Sequence, residues 1–311
     1  MLIWIKLVLI FILIILNNKM DYEVISLSLG GKNNRVFKSG DLVTDKHFHV
    51  GAAIELEEKG FLKKVVAKPI EPNLYVDKIK LVVVSAIWKR HDVFKLFAKG
   101  IHLLKKYSKI EIDVVISGSE GLKSKSIVEK EGFIYIEIPN DPLAEKVNAP
   151  VLYAKKLHAT HILCLGSDDI ISPELFDLYI KYIKEGYDYI GVTDFYFYDL
   201  INKKSSYWGG YTESWRKGHT AGAGRILNAR LLNLWDWMPW ENKHNKILDT
   251  SIQEKLKRTP HSIKTFSLKE NKVFALDIKS GINMTPFKLW DNTNYIDNSI
   301  IKNKFPYVCV E

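Results

Sequence analysis

The chain has 311 residues, of which 47% are hydrophobic and 26% are charged, close to the values of ordinary globular proteins. This composition excludes collagen-like, disordered and low-complexity chains. Lys and Arg number 45 against 36 Asp and Glu, a formal charge of +9, but the basic residues are scattered and no RNA- or DNA-reading motif accompanies them. We therefore expect no nucleic-acid partner, since an anionic small molecule or membrane surface explains the excess as well. Cys164 and Cys309 fit neither a zinc site nor a disulfide framework.

The N-terminus carries an apolar run over residues 1–16 in which only Lys6 is charged. The run is shorter than the roughly 20 residues of a membrane-spanning helix. It has the length of a signal-peptide core, but no small-residue cleavage site follows it. Two interpretations stay open. Residues 1–19 form a leader or anchor, which predicts membrane association facing the cytoplasm, or the chain starts at Met20, which predicts a cytoplasmic protein.

Residues 20–68 predict a small accessory α+β module, because some 50 residues hold only a small core. Strands are expected over 24–29, 35–38 and 61–66, and a helix over 52–59 is followed by Gly60, a typical helix terminator. Pro69 and Pro72 mark a linker over 69–78. We assign residues 79–311 to a second, larger domain.

From residue 79 the pattern alternates between apolar strands and amphipathic helices. Strands are predicted over 80–87, 111–117, 133–138 and 160–165, with helices over 92–107, 124–131 and 143–157. This alternation predicts an α/β fold, a mostly parallel, Rossmann-like sheet with helices on both faces. Further on, an aromatic segment over 187–197 predicts one long strand, and 206–215 predicts a hairpin with exposed rings. Ligands of such sheets bind beyond the carboxyl ends of the strands.

Two adjacent carboxylates, Asp168 and Asp169, follow the fourth of these strands. Buried neighbouring carboxylates repel each other, so a partner must offset the cost. Mn²⁺ or Mg²⁺ is the expected cofactor, because these ions favour carboxylate oxygens together with substrate phosphates. The alternative is that the pair caps the helix near Pro173, although Ser172 suits that position better.

The loops after the first three strands carry further candidates. Trp88 and Arg90, after the first strand, could hold a base and a phosphate. Ser119 and Glu120 are the candidates in the loop after the second strand. Lys146 and Asn148 lie at a helix start, where an anion is favoured. Each of them alone could equally be an ordinary surface residue.

Taken together, these segments resemble GT-A glycosyltransferases, most of all the family-2-like inverting group of the nucleotide-diphospho-sugar transferase superfamily. The resemblance covers about residues 80–279 and is carried by VVVSAIWKR, PLAEKVN and GSDDIISPEL. It implies a GT-A fold and a hexosyltransferase-like, metal-dependent transfer of sugar from a nucleoside-diphosphate sugar to a glycan or other hydroxyl acceptor, with inversion, in glycan synthesis. By this resemblance Asp169 is a metal ligand, and Asp168 contacts the ribose or a metal-bound water. The motif is an adjacent Asp pair and not D-x-D.

The resemblance also implies where the donor binds. The glycine-rich loop over 217–227, which precedes a helix in our prediction, is similar to the loop beside the donor sugar. Lys279 would meet the departing diphosphate, and Asp277 would complete the metal shell, although both could be surface residues. The residues expected at the donor are Ala86, Trp88, Arg90, Ser119, Glu120, Lys146, Asn148, Asp168, Gly222, Arg225 and Lys279.

The acceptor side is expected in the second half of the chain. By the resemblance Asp249 is the catalytic base that takes the proton of the acceptor hydroxyl. Its position also suits a helix N-cap, and Leu248-Asp249 replaces the family's Glu-Asp, so Asp236 and Glu241 stay as substitutes. The residues expected at the acceptor are Trp208, Tyr211, Trp215 and His219, for which core packing is the alternative.

Two other functions stay open. A sugar nucleotidyltransferase would share the sheet, the metal and a lysine, but it normally has a glycine-rich loop after the first strand, where this chain has SAIWKRHD. A non-catalytic carbohydrate-binding or structural protein with the same fold would suit the small module and the many aromatic residues. Fold alone does not choose among them.

Overall fold

The computed structural model describes residues 21–24, 28–30, 36–38, 42–44, 52–65, 78–241, 248–259, 261–283, 287 and 292–309. The chain forms two compact units, residues 1–71 and residues 72–311. The predicted leader over 1–19 and the start at Met20 lie outside the described residues. No helix in the described part of the chain is long and apolar enough to cross a membrane.

The described residues of the first unit form two small antiparallel sheets and a helix. The central strand β1 (Asp21–Val24) pairs with β4 (Leu42–Thr44) on one side and with β5 (Leu62–Val65) on the other. A separate hairpin joins β2 (Ser28–Gly30) to β3 (Val36–Lys38), so the prediction of one strand over 24–29 is wrong. The helix α1 spans Ala52–Glu58, and Gly60 follows it with a φ of +74°, a left-handed conformation that suits glycine.

The second unit is built on a seven-stranded sheet with the order β15-β11-β14-β9-β6-β7-β8. In chain order its strands are β6 (Lys80–Ala86), β7 (Glu111–Gly118), β8 (Ile134–Glu137), β9 (His161–Cys164), β11 (Tyr189–Val192), β14 (Arg225–Asn228) and β15 (Ile263–Phe266). Strand β14 runs antiparallel to its two neighbours, and the other pairs are parallel.

A five-stranded sheet with the order β10-β16-β12-β13-β17 lies in the same unit. Its strands are β10 (Asp169–Ile171), β12 (Phe195–Asp199), β13 (Lys204–Trp208), β16 (Ala275–Lys279) and β17 (Thr293–Ile296). The helices of the unit are α2 (His91–Tyr107), α3 (Leu122–Lys130), α4 (Leu143–Lys156), α5 (Pro173–Lys184), α6 (Ala229–Leu234), α7 (Leu248–Lys257) and α8 (Asn298–Lys304).

Helices cover both faces of the large sheet, as the apolar strands predict. Along β6, Leu81 and Val83 belong to one buried cluster with residues of α2 and α5, and Val82 and Val84 belong to another with residues of α4 and α7. Successive side chains of a strand point to opposite faces, so a strand covered on both sides must be apolar throughout. The predicted α/β fold class is confirmed.

The prediction of one long strand over 187–197 is wrong, because the segment divides between two sheets at Asp194. Strand β11 lies in the large sheet and β12 in the small one. The Asp194 side chain is buried, and its carboxylate accepts hydrogen bonds from Tyr207 Oη (2.6 Å), Ser267 Oγ (2.6 Å) and Leu268 N (2.5 Å). These contacts satisfy a buried charge and fix the point at which the chain changes sheets.

Two further local predictions differ from the structure. No hairpin lies within 206–215, because β13 pairs with β12 across the turn at 200–203 and with β17 on its other edge. The glycine-rich loop leads into strand β14 before helix α6 begins, and Asn228 caps that helix by accepting from Arg230 N at 2.8 Å. Tertiary pairing decides both cases and is not visible in local sequence.

Candidate active site

Three carboxylates meet where the two sheets of the second unit adjoin. Asp169 on β10 lies directly opposite Asp277 on β16, and ligand oxygens of Asp168, Asp169 and Asp277 lie within 4.8 Å of one another. Gly166 makes room for them, because a Cβ at that position would lie 2.6 Å from Asp168 Oδ1 and 2.7 Å from Asp169 Oδ2. The Asp169 carboxylate accepts a hydrogen bond from Gly166 N at 2.5 Å.

Burial and mutual repulsion disfavour the charged forms of Asp169 and Asp277. Burial, followed by the charges of Asp277 and Asp168, raises the pKa of Asp169 well above its usual range. Burial and the Asp168 charge raise the pKa of Asp277 to about 7, although Lys279 Nζ donates to Asp277 Oδ2 at 2.6 Å and acts in the opposite direction. Like charges directly opposite in a sheet destabilise it, so the arrangement favours a cationic ligand.

The donor atoms fit a hard divalent cation. Asp277 Oδ1 is buried and finds no hydrogen-bond partner within the described residues, which is rare for a carboxylate oxygen. The cluster offers oxygen ligands on rigid strands, the type that Mg²⁺ and Mn²⁺ prefer. We therefore find the residues compatible with the predicted cofactor.

Asp168 is held by two neighbours that orient it toward the cluster. Arg90 Nη1 forms an ion pair with Asp168 Oδ2, and Arg90 Nη2 donates to Ser167 Oγ at 3.3 Å. Asn283 Nδ2 donates to the same Asp168 oxygen at 2.7 Å. Ser172 caps the helix that begins at Pro173, as its position in the sequence favoured, because its hydroxyl accepts from Leu175 N. Asp168 and Asp169 therefore do not serve as caps.

A cavity of about 400 Å³, which we call the strand-end cavity, opens beyond the carboxyl ends of β6 and β9. Its wall includes the carboxylate cluster, Trp88 and Trp240. The predicted donor-site residues in this wall are Ala86, Trp88, Arg90, Lys146, Asp168, Gly222, Arg225 and Lys279. Ser119, Glu120 and Asn148 are not among the residues that line this cavity.

Lys146 is almost fully buried, and its ammonium group already has three acceptors. It donates to Ile87 O (2.9 Å), Ser119 Oγ (3.0 Å) and Asn140 Oδ1 (2.7 Å), and burial lowers its pKa to about 8. An ammonium has three hydrogens, so these contacts use all of them. Lys146 thereby ties together the loops after β6, β7 and β8.

The Glu120 and Asn148 side chains also form hydrogen bonds with backbone atoms of neighbouring loops. Glu120 accepts from Lys89 N at 2.8 Å, which fixes the loop that carries Trp88. Asn148 Nδ2 donates to Trp240 O at 2.7 Å, and Trp240 N donates to Asn148 Oδ1 at 3.3 Å. These two residues therefore shape the wall of the strand-end cavity.

A second cavity of about 660 Å³, which we call the aromatic cavity, lies on the other side of the carboxylates. Phe195, Phe197, Trp208 and Tyr211 line it, and the Trp208 and Tyr211 rings meet edge to face with centroids 4.7 Å apart. The Arg216 guanidinium lies 3.5 Å above the Tyr211 ring, a cation–π geometry.

The other two predicted acceptor residues lie elsewhere. Trp215 is 61% exposed and packs edge to face against the His219 ring, with centroids 6.5 Å apart. Neither residue lines the aromatic cavity. Burial, followed by the charges of Lys257 and Arg216, lowers the pKa of His219.

The two cavities share one wall. The residues that line both are Asp168, Asp169, Gly222, Ala223, Asp249, Asp277 and Lys279. A ligand in either cavity therefore lies beside the carboxylate cluster and beside Asp249. This arrangement can hold two substrates on opposite sides of one reaction centre.

Asp249 lies in the first turn of α7 and not ahead of it, so it is not the N-cap residue. Its Oδ1 forms an ion pair with Arg225 Nη2 at 3.0 Å, and a Cβ on Gly222 would lie 2.9 Å from that same oxygen. Asp236 and Glu241 line a separate depression together with Lys255. Of the three candidate bases, Asp249 is the one that borders both cavities.

A buried polar network holds the helix that carries Asp249. Arg225 is fully buried on β14 and donates from Nε to Thr220 Oγ1 at 3.3 Å. Gln253 on α7 donates to the same hydroxyl at 3.3 Å, and Tyr189 Oη lies 2.5 Å from it. Thr220 thus joins the glycine-rich loop to α7 and to two strands of the large sheet.

Several residues of the site were missed from the sequence. Phe195 and Phe197 alternate along β12, a pattern that would have placed both on one face had the strand boundary been known. Asn283, Arg216 and Trp240 have no local signal, because each reaches the site through a loop whose position depends on distant contacts.

No protein-family model matches the chain, and no curated protein matches it. Among solved structures, S. aureus TarS 1–349 in complex with UDP-GlcNAc is 15% identical, with a TM-score of 0.46, over 66% of this chain and 60% of that one. The inositol-1-phosphate CTP transferase from T. maritima is 9% identical, with a TM-score of 0.46, over 74% of this chain and 96% of that one.

A third structure is that of CMP:2-keto-3-deoxy-manno-octonic acid synthetase complexed with CTP. It is 11% identical, with a TM-score of 0.40, over 61% of this chain and 89% of that one. The chain thus spans about 60% of the length of the TarS fragment. These likenesses concern the fold, and the chemistry is inferred from the residues of this chain. The large sheet is mostly parallel and has helices on both faces, the α/β architecture that the resemblance to GT-A glycosyltransferases implies.

Proposed function

We propose that the protein is a metal-dependent glycosyltransferase that moves a sugar from a nucleoside-diphosphate sugar to the hydroxyl group of a glycan or similar acceptor. The observation that carries the proposal is the shared wall. Two cavities of different character meet at three carboxylates and at Asp249. A transfer between two substrates needs this geometry, since both must reach one reaction centre.

The nucleotide occupies the strand-end cavity in this proposal. Trp88 offers a ring for the base, and Arg90 and Lys279 offer positive charge for the diphosphate. Asp169 and Asp277 would hold Mn²⁺ or Mg²⁺, which supplies charge stabilisation to the departing diphosphate. Asp168, held by Arg90 and Asn283, would contact the ribose or the water shell of the metal ion.

The acceptor occupies the aromatic cavity, where Trp208 and Tyr211 present ring faces and edges suited to a sugar. Asp249 takes the proton of the attacking hydroxyl as its oxygen bonds to the anomeric carbon and the bond to the diphosphate breaks. Attack from the face opposite the leaving group inverts the anomeric centre. Arg225 acts as a positioning residue, because its buried guanidinium holds Asp249 between the cavities.

The two rival functions are less well supported. The loop after β6 contains no glycine, which disfavours the phosphate loop of a nucleotidyltransferase. A purely structural role gives no reason for a buried carboxylate oxygen without a partner among the described residues, whose cost a bound cation would offset. If the chain includes its apolar run over 1–16, the acceptor would be met at a membrane.

Isothermal titration with UDP, GDP and CDP, with and without Mn²⁺, tests the proposal. We expect one nucleotide to bind only with Mn²⁺, and we expect Asp169→Ala to abolish that binding. Asp236→Asn is the matched control, because Asp236 lies in the separate depression and should leave binding unchanged. No binding of any nucleotide by the wild-type protein would reject the transferase and favour a glycan-binding or structural role.

A further inference from the structure

The arginines that line the two cavities differ in whether a carboxylate is paired with them. Both arginines of the strand-end cavity have such a partner, Arg90 in Asp168 and Arg225 in Asp249. Arg216 lines the aromatic cavity, and its side chain has no ion-pair or hydrogen-bond partner among the residues that the structure describes. Because an arginine stays protonated in proteins, this cavity contains a positive charge with which no described carboxylate is paired.

Aromatic rings hold the Arg216 guanidinium in place. Its central carbon lies 3.5 Å from the centroid of the Tyr211 ring and 5.3 Å from that of the Trp215 ring. Ring faces attract the cation, but they are not the oxygen acceptors that its N–H groups suit. Glu213 lines the same cavity, and its backbone oxygen accepts from Arg216 N at 2.9 Å, but the two side chains form no ion pair.

The terminal nitrogens of Arg216 remain accessible. The residue is half-buried, and of its side-chain nitrogens only Nε is both buried and without a partner in the described part of the chain. The parallel N–H groups at the end of a guanidinium match two oxygens of a carboxylate or a phosphate. The aromatic cavity therefore combines an anion-binding group with the rings of Trp208 and Tyr211, which suit a sugar.

Arg216 lies apart from the groups assigned to the donor. It does not line the strand-end cavity, where Arg90 and Lys279 offer charge to the diphosphate. It lines the same cavity as Asp249, and the volume of about 660 Å³ is typical of a small-molecule site. The carboxylates of the shared wall repel an anion, so an acidic group in this cavity is favoured at Arg216 and not at the shared wall.

We infer that the acceptor is an acidic sugar whose carboxylate or phosphate group binds Arg216. The inference rests on the proposed function and names the class of its acceptor. The sugar ring lies against Trp208 and Tyr211, and the ion pair with Arg216 fixes the acidic end of the molecule. A hydroxyl group at the other end then faces Asp249.

Isothermal titration with pairs of sugars that differ in an acidic group tests the inference. The pairs are methyl glucoside with methyl glucuronide, methyl galactoside with methyl galacturonide, and glucose with glucose 6-phosphate. The full chain is first saturated with Mn²⁺ and with whichever of UDP, GDP and CDP it binds, so that the donor site is filled. We expect the acidic member of at least one pair to bind about tenfold more tightly than its neutral partner. A preference for the uronides or for the phosphate identifies the acidic group.

Arg216→Gln removes the charge, so it should weaken binding of the preferred acidic sugar about ten- to a hundredfold and leave the neutral partner unchanged. Arg258→Gln is the matched control, because it removes the same charge from an arginine that lines the separate depression, and it should leave every affinity unchanged. Should Arg216→Gln fail to fold, Arg216→Lys poses the same question. Lysine keeps the charge beside the rings but lacks the paired N–H groups, so it should still weaken binding of the acidic sugar.

The outcomes separate the two proposals. Failure of every nucleotide to bind the wild-type protein overturns the proposed function and this inference with it. Nucleotide binding without a preference for the acidic member of any pair overturns the inference alone, and so does a preference that survives in Arg216→Gln. A preference that is lost in Arg216→Gln and kept in Arg258→Gln supports it.

Discussion

At the scale of single residues, Asp249 is distinguished by its neighbours and not by its local sequence. It borders both cavities and is paired with a fully buried arginine, whereas Asp236 and Glu241 border neither. A general base must lie within reach of the proton that it removes. Position therefore favours Asp249 as the base of the proposed reaction over Asp236 and Glu241.

Replacing Asp249 by Asn should reduce the rate of sugar transfer by about 10²–10⁴-fold, because the amide cannot take the proton. Nucleotide affinity should stay unchanged. Single-turnover assays with the bound sugar nucleotide measure the rate, with Asp236→Asn and Glu241→Gln as controls. If either control variant lost most of its transfer rate while Asp249→Asn stayed active, the base would be assigned to Asp236 or Glu241 in the separate depression.

Gly222→Ala tests whether the position of the Asp249 carboxylate matters for the rate of transfer. The added Cβ would lie 2.9 Å from Asp249 Oδ1, so the carboxylate must move. A displacement of about 1 Å at a catalytic group can cost roughly 10²-fold in rate. The rate of transfer and the thermal unfolding temperature are measured together. Gly30→Ala is the control, because a Cβ there meets nothing within 4 Å; equal rates in both variants would contradict the prediction.

At the scale of helices and strands, the sequence predicted those elements whose limits follow from the local pattern of apolar and polar residues. Strand β6 was found because a strand buried on both faces is continuously apolar. The division at Asp194 was missed, because two of the groups that bind its carboxylate, Ser267 Oγ and Leu268 N, lie 73 and 74 residues further along the chain. The local pattern likewise did not show that Asp169 pairs with Asp277, since the register of distant strands is set by the whole sheet; only the resemblance placed Asp277 beside the metal.

The path of the chain from the large sheet to the small one should depend strongly on Asp194. Asparagine would turn one acceptor oxygen into a donor facing hydroxyl and backbone N–H donors, so Asp194→Asn should lower the free energy of unfolding by about 2–4 kcal/mol. Urea denaturation measures the change. Asp92→Asn, on an exposed carboxylate paired with Lys95, should change it by less than about 0.5 kcal/mol. Similar values for both variants would deny Asp194 its structural role.

At the scale of the whole molecule, stability should depend on pH through His161. This residue on β9 is buried, and its ring contacts Thr160 Oγ1 at 3.0 Å and Asn228 Nδ2 at 3.1 Å. Burial lowers its pKa from 6.5 to about 4. The unfolded chain therefore binds the proton first as the pH falls, so the neutral histidine contributes stability above pH 6.5 that is lost toward pH 4.

Between pH 7.5 and pH 5 this group alone should remove about 2 kcal/mol from the free energy of unfolding. Urea titrations at both pH values measure it, and His161→Gln, which cannot be protonated, provides the reference. The wild-type protein should lose more stability than the variant over this interval. Equal losses would mean that His161 does not titrate on unfolding.

The common wall of the two cavities has a consequence for how substrates bind. Because Asp249, Lys279 and the carboxylate cluster face both spaces, filling one space changes the surface that the other presents. Binding free energies coupled in this way are reciprocal. In the proposed reaction, whatever factor a bound donor adds to the affinity for the acceptor, the acceptor would therefore add to the affinity for the donor.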